Sequence, residues 1–272
     1  MSAFLLLWRE ALLDALRRRL VLVIAAASLL SLLVLDGCTS CAPRFQVNGQ
    51  EQELAALAPM MGGALLIVVG LWVVTLAGLL GSDLLAQSLE DGHAATSLAR
   101  PVGRSTFALA RLAGSLTVSL GAGALLLGST TFWVATRHGL EPAPALLACL
   151  SAALACVTVA AFAMAASLAL PRLAIWLLVF GLVFVTTIAF GVATFSAFQP
   201  SGEPPSSTFA LALLQLDAWG PPIGGGMLRA LARWLPETPL PSDIGAALVR
   251  GGVWAGLGLA SLAAAFRRVE LK

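Results

Sequence analysis

The chain is predicted to be all-α: a polytopic membrane protein with six transmembrane helices and an N-terminal amphipathic helix in the membrane interface. Three observations predict this. Of its 272 residues, 59% are hydrophobic and only 11% charged, more apolar surface than a soluble domain of this length uses. The apolar residues form continuous runs of roughly 20 positions, the length that crosses a bilayer as a helix. The basic residues are sorted along the chain by the alternation that membrane orientation imposes. Hydrocarbon leaves the backbone to satisfy its own polar groups, so spans are helices or closed barrels. Barrel strands alternate apolar and polar residues over about 10 positions, and no such alternation occurs here.

The elements follow in order. Residues 3–19 read as an amphipathic helix with Phe4, Leu7, Trp8, Ala11, Leu12, Ala15 and Leu16 on one side. That helix is expected to lie in the inner interface and turn into the first span. The spans are Leu20–Leu35, Pro59–Leu80, Leu112–Ala135, Ala145–Leu170, Leu173–Phe195 and Ile244–Phe266. The whole chain, 1–272, reads as one transmembrane domain without internal repeats. It has an inner loop at 81–111 and outer loops at 36–58 and 196–243. With the N-terminus inside, the inner segments hold Arg9, Arg17, Arg18, Arg19, Arg100, Arg104, Arg111, Arg172, Arg267, Arg268 and Lys272. The outer side holds Arg44, Arg137, Arg229, Arg233 and Arg250. The excess favours both termini in the cytoplasm. Trp133 and Trp176 fall near span ends.

The outer loop 196–243 is rich in proline and contains two short apolar pieces, Phe209–Trp219 and Gly226–Leu235. Neither is long enough to span. They read as helices on the outer leaflet with Trp219 and Trp234 as anchors; a re-entrant hairpin is the alternative. Glycines at 62, 63, 70 and 78, and at 251, 252, 256 and 258, permit close helix packing or a dimer face.

The chemical candidates are few. His93 and His138 are the two histidines, and the topology puts them on opposite sides, which excludes a two-histidine metal site in one subunit. The chain contains no H-E-x-x-H, no G-x-S-x-G and no G-x-x-x-x-G-K-[ST], so ATP would have to bind on another chain. A net charge of +2 gives no ground for a nucleic-acid partner. Cys38 and Cys41 form a C-x-x-C on the outer side, a candidate disulfide in an oxidising compartment. A metal or redox role would need a second pair or a nearby histidine. Leu35-Asp36-Gly37-Cys38 also resembles a lipoprotein cleavage site, although aspartate before the glycine is atypical and the N-terminal helix is long for a signal. Cys149 and Cys156, seven apart in one span, share a helical face and read as small buried residues. Asp83 and Arg250 are candidates for a polar site inside the membrane. Asp83 would cap its helix or face a cavity; Arg250 would snorkel outward, pair with Asp243 or face a substrate.

The segment from Glu90 to Arg104 is the main charged island between long apolar runs. Glu90 and Asp91 precede Gly92 and His93; Pro101 follows Gly92 by nine positions; Val102-Gly103-Arg104 comes next, then Phe107, Arg111 and Gly114. Pro101 breaks or begins a helix because it has no amide proton, and Ser105 or Thr106 is expected to start the next one. On this order the chain resembles type-2 ATP-binding cassette exporter permeases, the membrane subunits of ATP-driven transporters. Their inner loop runs from acidic residues through glycine-threonine, proline and arginine to glycine-lysine and glycine. This chain departs from it with His93 for threonine, Ala110 for glycine and Arg111 for lysine. The ending Phe266-Arg267-Arg268-Val269-Glu270-Leu271 is also similar to the family's.

The resemblance implies that Glu90, Asp91, Gly92, His93, Arg100, Pro101, Arg104 and Arg111 couple the chain to an ATP-binding cassette ATPase subunit. That subunit would hold ATP and magnesium. It further implies a second permease subunit in a homo- or heterodimer, and a second inner contact at Pro171-Arg172. The chain itself is expected to carry no catalytic residues, no metal and no cofactor. Two other classes remain open on the residues. One is an integral membrane enzyme acting on lipid through Asp83, Glu90, Asp91 and His93. The other is an envelope-machine anchor that docks a periplasmic partner at 196–243.

Overall fold

A computed structural model describes residues 3–17, 26, 29–30, 33, 44–47, 50–53, 58–90, 103–139, 141–197, 207–234 and 243–268. The fold is all-α and polytopic. Five helices are long and apolar enough to cross a membrane: 62–89, 104–133, 142–166, 172–193 and 244–268. The span expected at 20–35 lies almost wholly outside the described residues.

The first helix, α1, covers Ala3–Leu16. Leu7, Ala11 and Ala15, spaced by one turn, are its buried residues, while Leu16 is exposed. Next comes a small antiparallel hairpin, β1 (Arg44–Val47) and β2 (Gln50–Glu53), with Val47 opposite Gln50. Nothing in the sequence reading anticipated it, yet the residues between are Asn48-Gly49, the pair that two-residue hairpin turns favour.

Helix α2 covers Ala58–Glu90 and α3 covers Arg104–His138. Both run into the stretch read from sequence as loop 81–111, which is helical up to Glu90 and again from Arg104. The polar residues there do not break α2, because Ser82 and Ser88 donate to the carbonyls of Leu79 and Leu85 at 2.9 and 2.8 Å. A serine that bonds its own preceding turn stays compatible with a helix. Helix α3 starts earlier than Ser105: Gly103 is its cap, and Phe107 N–H donates to Gly103 O at 3.1 Å.

Helix α3 ends on Gly139 at φ 63°, the left-handed cap that glycine adopts without strain. Helix α4, Pro142–Ala166, then opens with proline in its first turn, where no amide proton is missed. It stops four residues short of the expected end; 167–170 turn toward Pro171. Helix α5 covers Arg172–Ala197. The short helices α6 (Thr208–Trp219) and α7 (Ile223–Leu231) follow, then a 3-10 turn at Ala232–Trp234. Helix α8 covers Ile244–Arg268. It is capped by Asp243 Oδ1, which accepts from Ala246 N–H at 3.0 Å, and Arg267 and Arg268 lie in its last turn, where the helix dipole favours cations.

Helix α4 occupies the middle, packed against α2, α3, α7 and α8. Alanines such as Ala152, Ala155, Ala160 and Ala163 line its buried side, and short side chains let helices approach closely. Gly78 of α2 lies between Val159 of α4 and Val179 of α5; a Cβ there would stand 2.8 and 2.9 Å from their methyl groups. The end of the bundle that carries α1, the start of α3 and the end of α8 is termed proximal. The other end is distal.

Helix α7 differs most from expectation. The sequence favours a helix on the outer leaflet over a re-entrant hairpin, but all but one of the nine residues of α7 are buried, and it packs against α4, α5, α2 and α8, as the alternative has it. Gly224 abuts Thr187, Gly226 abuts Ser151, and Met227 abuts Gly70. Three consecutive glycines leave the first turn of α7 after Ile223 without side chains, and this admits it between the long helices. The Pro221-Pro222 turn before it rests near Leu154 and Gly251. Leu154 is the middle residue of α4, so α6 and α7 form a hairpin reaching halfway down the bundle. Trp234, read as a surface anchor, is 6% exposed and donates to Glu141 O at 2.9 Å. Trp219 stays exposed.

Candidate functional site

Two polar frames stand out in a bundle made mostly of hydrocarbon. The first is proximal. Arg111 is 2% exposed, and a buried guanidinium needs compensating groups. Its Nη1 donates to Asp14 Oδ2 at 2.8 Å, and Glu10 Oε1 lies 3.9 Å from Nη2. Both carboxylates come from α1, four residues apart and hence on one face. The guanidinium carbon sits 5.5 Å from the Phe107 ring, and Phe107 stacks on Phe266 of α8 at 5.9 Å. Helix α1 runs antiparallel along the start of α3: Asp14 meets Arg111, Ala11 meets Gly114, and Trp8 Nε1 donates to Thr117 Oγ1 at 3.1 Å. It is therefore fastened lengthwise to α3 and does not stand free of the bundle.

The second brace of this frame joins α2 to α5. Arg172 Nε donates to Asp83 Oδ1 at 2.8 Å and Nη2 to Oδ2 at 2.6 Å, a two-pronged pair of the strong kind. Asp83 is 8% exposed. The Arg172 guanidinium also lies 5.7 Å from the Trp176 ring. Asp83 thus ties one helix to the start of another, at the residue where α5 begins after Pro171.

These braces hold the helix ends that flank the charged island. Glu90 closes α2 and Arg104 opens α3. Asp91, Gly92, His93, Arg100 and Pro101 lie outside the described residues, as do Cys38 and Cys41. Arg111, grouped from sequence with the coupling residues, is turned inward onto α1.

The second frame belongs to the hairpin. Arg229 of α7 is 9% exposed. Its Nη2 donates to Asp217 Oδ2 of α6 at 2.6 Å, and its guanidinium lies 4.8 Å from the Phe190 ring of α5. Arg250 of α8 donates from Nη1 to Ala218 O, and Trp254, one turn on, donates from Nε1 to Trp219 O at 3.0 Å. Both close carbonyls at the C-terminal end of α6, which no helical amide reaches and where positive charge is favoured. Arg250 therefore does not pair with Asp243, which is engaged as the α8 cap. Asp217 and Arg229 were missed from sequence. The available signal was a lone acid, Asp217, in one short apolar piece and only basic charges, Arg229 and Arg233, in the other.

Among the described residues, no three His, Cys, Asp or Glu side chains come together. Cys156 is buried in α4 and Cys149 half-buried, both as free thiols. The chain is a multi-span helical membrane protein, of the general kind that includes transporters. No protein-family model matches the chain, and no curated protein matches it.

Proposed function

We propose that this chain is the membrane-spanning subunit of a type-2 ATP-binding cassette exporter. It would pair with a second permease subunit, identical or not, and take mechanical work from a separate ATPase subunit holding ATP and magnesium. The observation that carries the reading is the polar segment 90–104 strung between the two longest helices. These have 33 and 35 residues. At 1.5 Å per residue each extends about 50 Å, against a hydrocarbon core of about 30 Å. With that surplus, the helix ends at Glu90 and Arg104 would project beyond the hydrocarbon, where a soluble subunit would reach them.

The braces support the same reading. A push on 91–102 would reach α2 and α3 together, then α5 through Asp83–Arg172, and α1 and α8 through Arg111 and Phe107. Packed helices joined this way move as bodies and do not deform continuously. Residues 17 and 58 belong to opposite ends of the bundle, and the apolar run 20–35 is proposed as the sixth span between them. Both termini would then face the cytoplasm across a bacterial inner membrane. A periplasmic partner, where one exists, would meet what the helices leave of the outer loop, 198–206 and 235–242.

The test is a tagged chain purified from its native membranes. The wild type is expected to bring an ATP-binding subunit with it. The double variant Arg100→Glu/Arg104→Glu is expected to lose that subunit, or to retain it with ATP hydrolysis no longer tied to transport. Unchanged association together with unchanged coupling would overturn the proposal.

A further inference from the structure

Below the hairpin tip an open groove of about 880 Å³ runs toward the proximal half of the bundle. Its floor is Phe162 of α4; α5 walls one side with Leu178 and Leu182, Trp254 of α8 stands opposite, and Trp219 of α6 overhangs it. The groove is within the volume range of small-molecule sites. Its lining differs from most of them: Gln215 is the single residue among the lining set with a polar amide or charge-bearing side chain, and the Trp254 N–H is already spent on Trp219 O. Nothing there recognises a charge, so an ionic ligand would meet only desolvation.

Its depth decides the occupant. Phe162, Leu178, Leu182, Val185 and Trp254 all belong to helices long enough to cross the membrane. The groove opens sideways among outward-facing apolar residues such as Leu177 and Phe184, at 67% and 66% exposure. Its mouth therefore meets acyl tails. Water filling such a space would find almost no partner, and a buried water needs two to four.

We infer that this groove is a binding site for one hydrocarbon chain of a bilayer lipid, held against Phe162 between α5 and α8 and covered by Trp219. The hairpin makes the site: Arg250 and Trp254 fasten the end of α6 to α8, and that junction roofs the groove. The site depends on the chain spanning a membrane and not on an ATPase partner.

Gly181 supplies the test. It lines the groove, and a Cβ built on it meets nothing within 4 Å, so the side chain of Gly181→Phe starts without a clash and is expected to occupy the groove. Gly252→Phe is the control: it is equally open, on α8, and not part of the groove. The full chain is reconstituted with phosphatidylcholine carrying a diazirine midway along one acyl chain, irradiated, and its adducts mapped by mass spectrometry. Adducts are expected on Leu178, Leu182 and Trp254. Gly181→Phe is expected to reduce them about tenfold, the equivalent of about 1.4 kcal/mol of lost chain contact, with Gly252→Phe unchanged. Ala212→Phe, which fills the groove from the α6 wall, is expected to act likewise and serves if Gly181→Phe does not fold. Equal labelling of Leu177 and Phe184, insensitive to either filling variant, would mean ordinary boundary lipid and would overturn the inference. A disulfide-linked dimer of Gly181→Cys without groove labelling would overturn it too, because a second copy would then be the occupant.

Discussion

Arg111 and Asp14, separated by 97 positions in sequence, meet at 2.8 Å and join the first helix to the longest one. The arginine is buried and the aspartate half-exposed, so the two are not equivalent: losing the acid strands a charge, whereas losing both leaves an apolar contact.

Asp14→Ala is therefore expected to destabilise the protein by about 1–3 kcal/mol, the cost of an unsatisfied buried group. Glu10→Ala, 3.9 Å from Arg111, is expected to cost less than about 1 kcal/mol. Arg111→Met/Asp14→Leu is expected to recover most of the loss. Thermal unfolding in detergent gives the ranking, and an Asp14→Ala chain as stable as wild type would show that α1 is held by packing alone.

The Asp83–Arg172 pair makes a geometric prediction. A lysine keeps the charge of Arg172 but cannot present two parallel N–H groups. Arg172→Lys is expected to lose about 1 kcal/mol, and Asp83→Asn more, because Asp83 is the buried partner. A double-mutant cycle should return a coupling energy of about 0.5–3 kcal/mol; strict additivity would mean that the two prongs contribute nothing to holding α5.

Glycines at helix contacts are expected to rank by what faces them. Gly78→Ala meets branched side chains on two helices at 2.8 and 2.9 Å and should destabilise by about 1–3 kcal/mol. Gly63→Ala meets nothing within 4 Å and should be neutral or slightly stabilising, since alanine is the better helix former. Gly70→Ala meets the flexible end of Met227 and should fall between them. Melting temperatures of the three variants check the order.

The hairpin is expected to come loose when its internal ion pair is broken. Asp217→Asn leaves Arg229 buried beside Phe190 without its carboxylate, at a cost of about 3–5 kcal/mol for a stranded buried charge. A cysteine at Ala230, on the buried face of α7, in a chain whose four native cysteines are replaced by alanine, should resist a membrane-impermeant thiol reagent and react when Asp217→Asn is added. Equal protection in both backgrounds would show that the glycine contacts seat α7 by themselves.

How far the sequence could be read is clearest at α7 and α2. Continuous apolar runs mark the long helices directly, because the other backbone solution in lipid, a closed barrel, shows alternating residues instead. Their ends were less legible: loop-like polarity at 81–90 conceals a helix whose serines bond their own preceding turn. For α7, nine residues are too few to span, and composition alone places such a piece on a surface; Gly224, Gly225 and Gly226 fit between the helices only once Thr187, Phe190 and Ser151 surround them. The charged segment 90–104 stood out by charge and spacing, whereas the inward turn of Arg111 depended on α1 folding back along α3.

The amino-acid order alone determined that this protein is helical and membrane-spanning, because solvent selects for that before any two helices meet. The pairing of Arg111 with Asp14, of Arg172 with Asp83 and of Arg229 with Asp217, and the groove beneath the hairpin, came only with the tertiary structure. Each joins residues on different helices, and the local periodicity that marks a helix carries no information about which neighbour its face will meet.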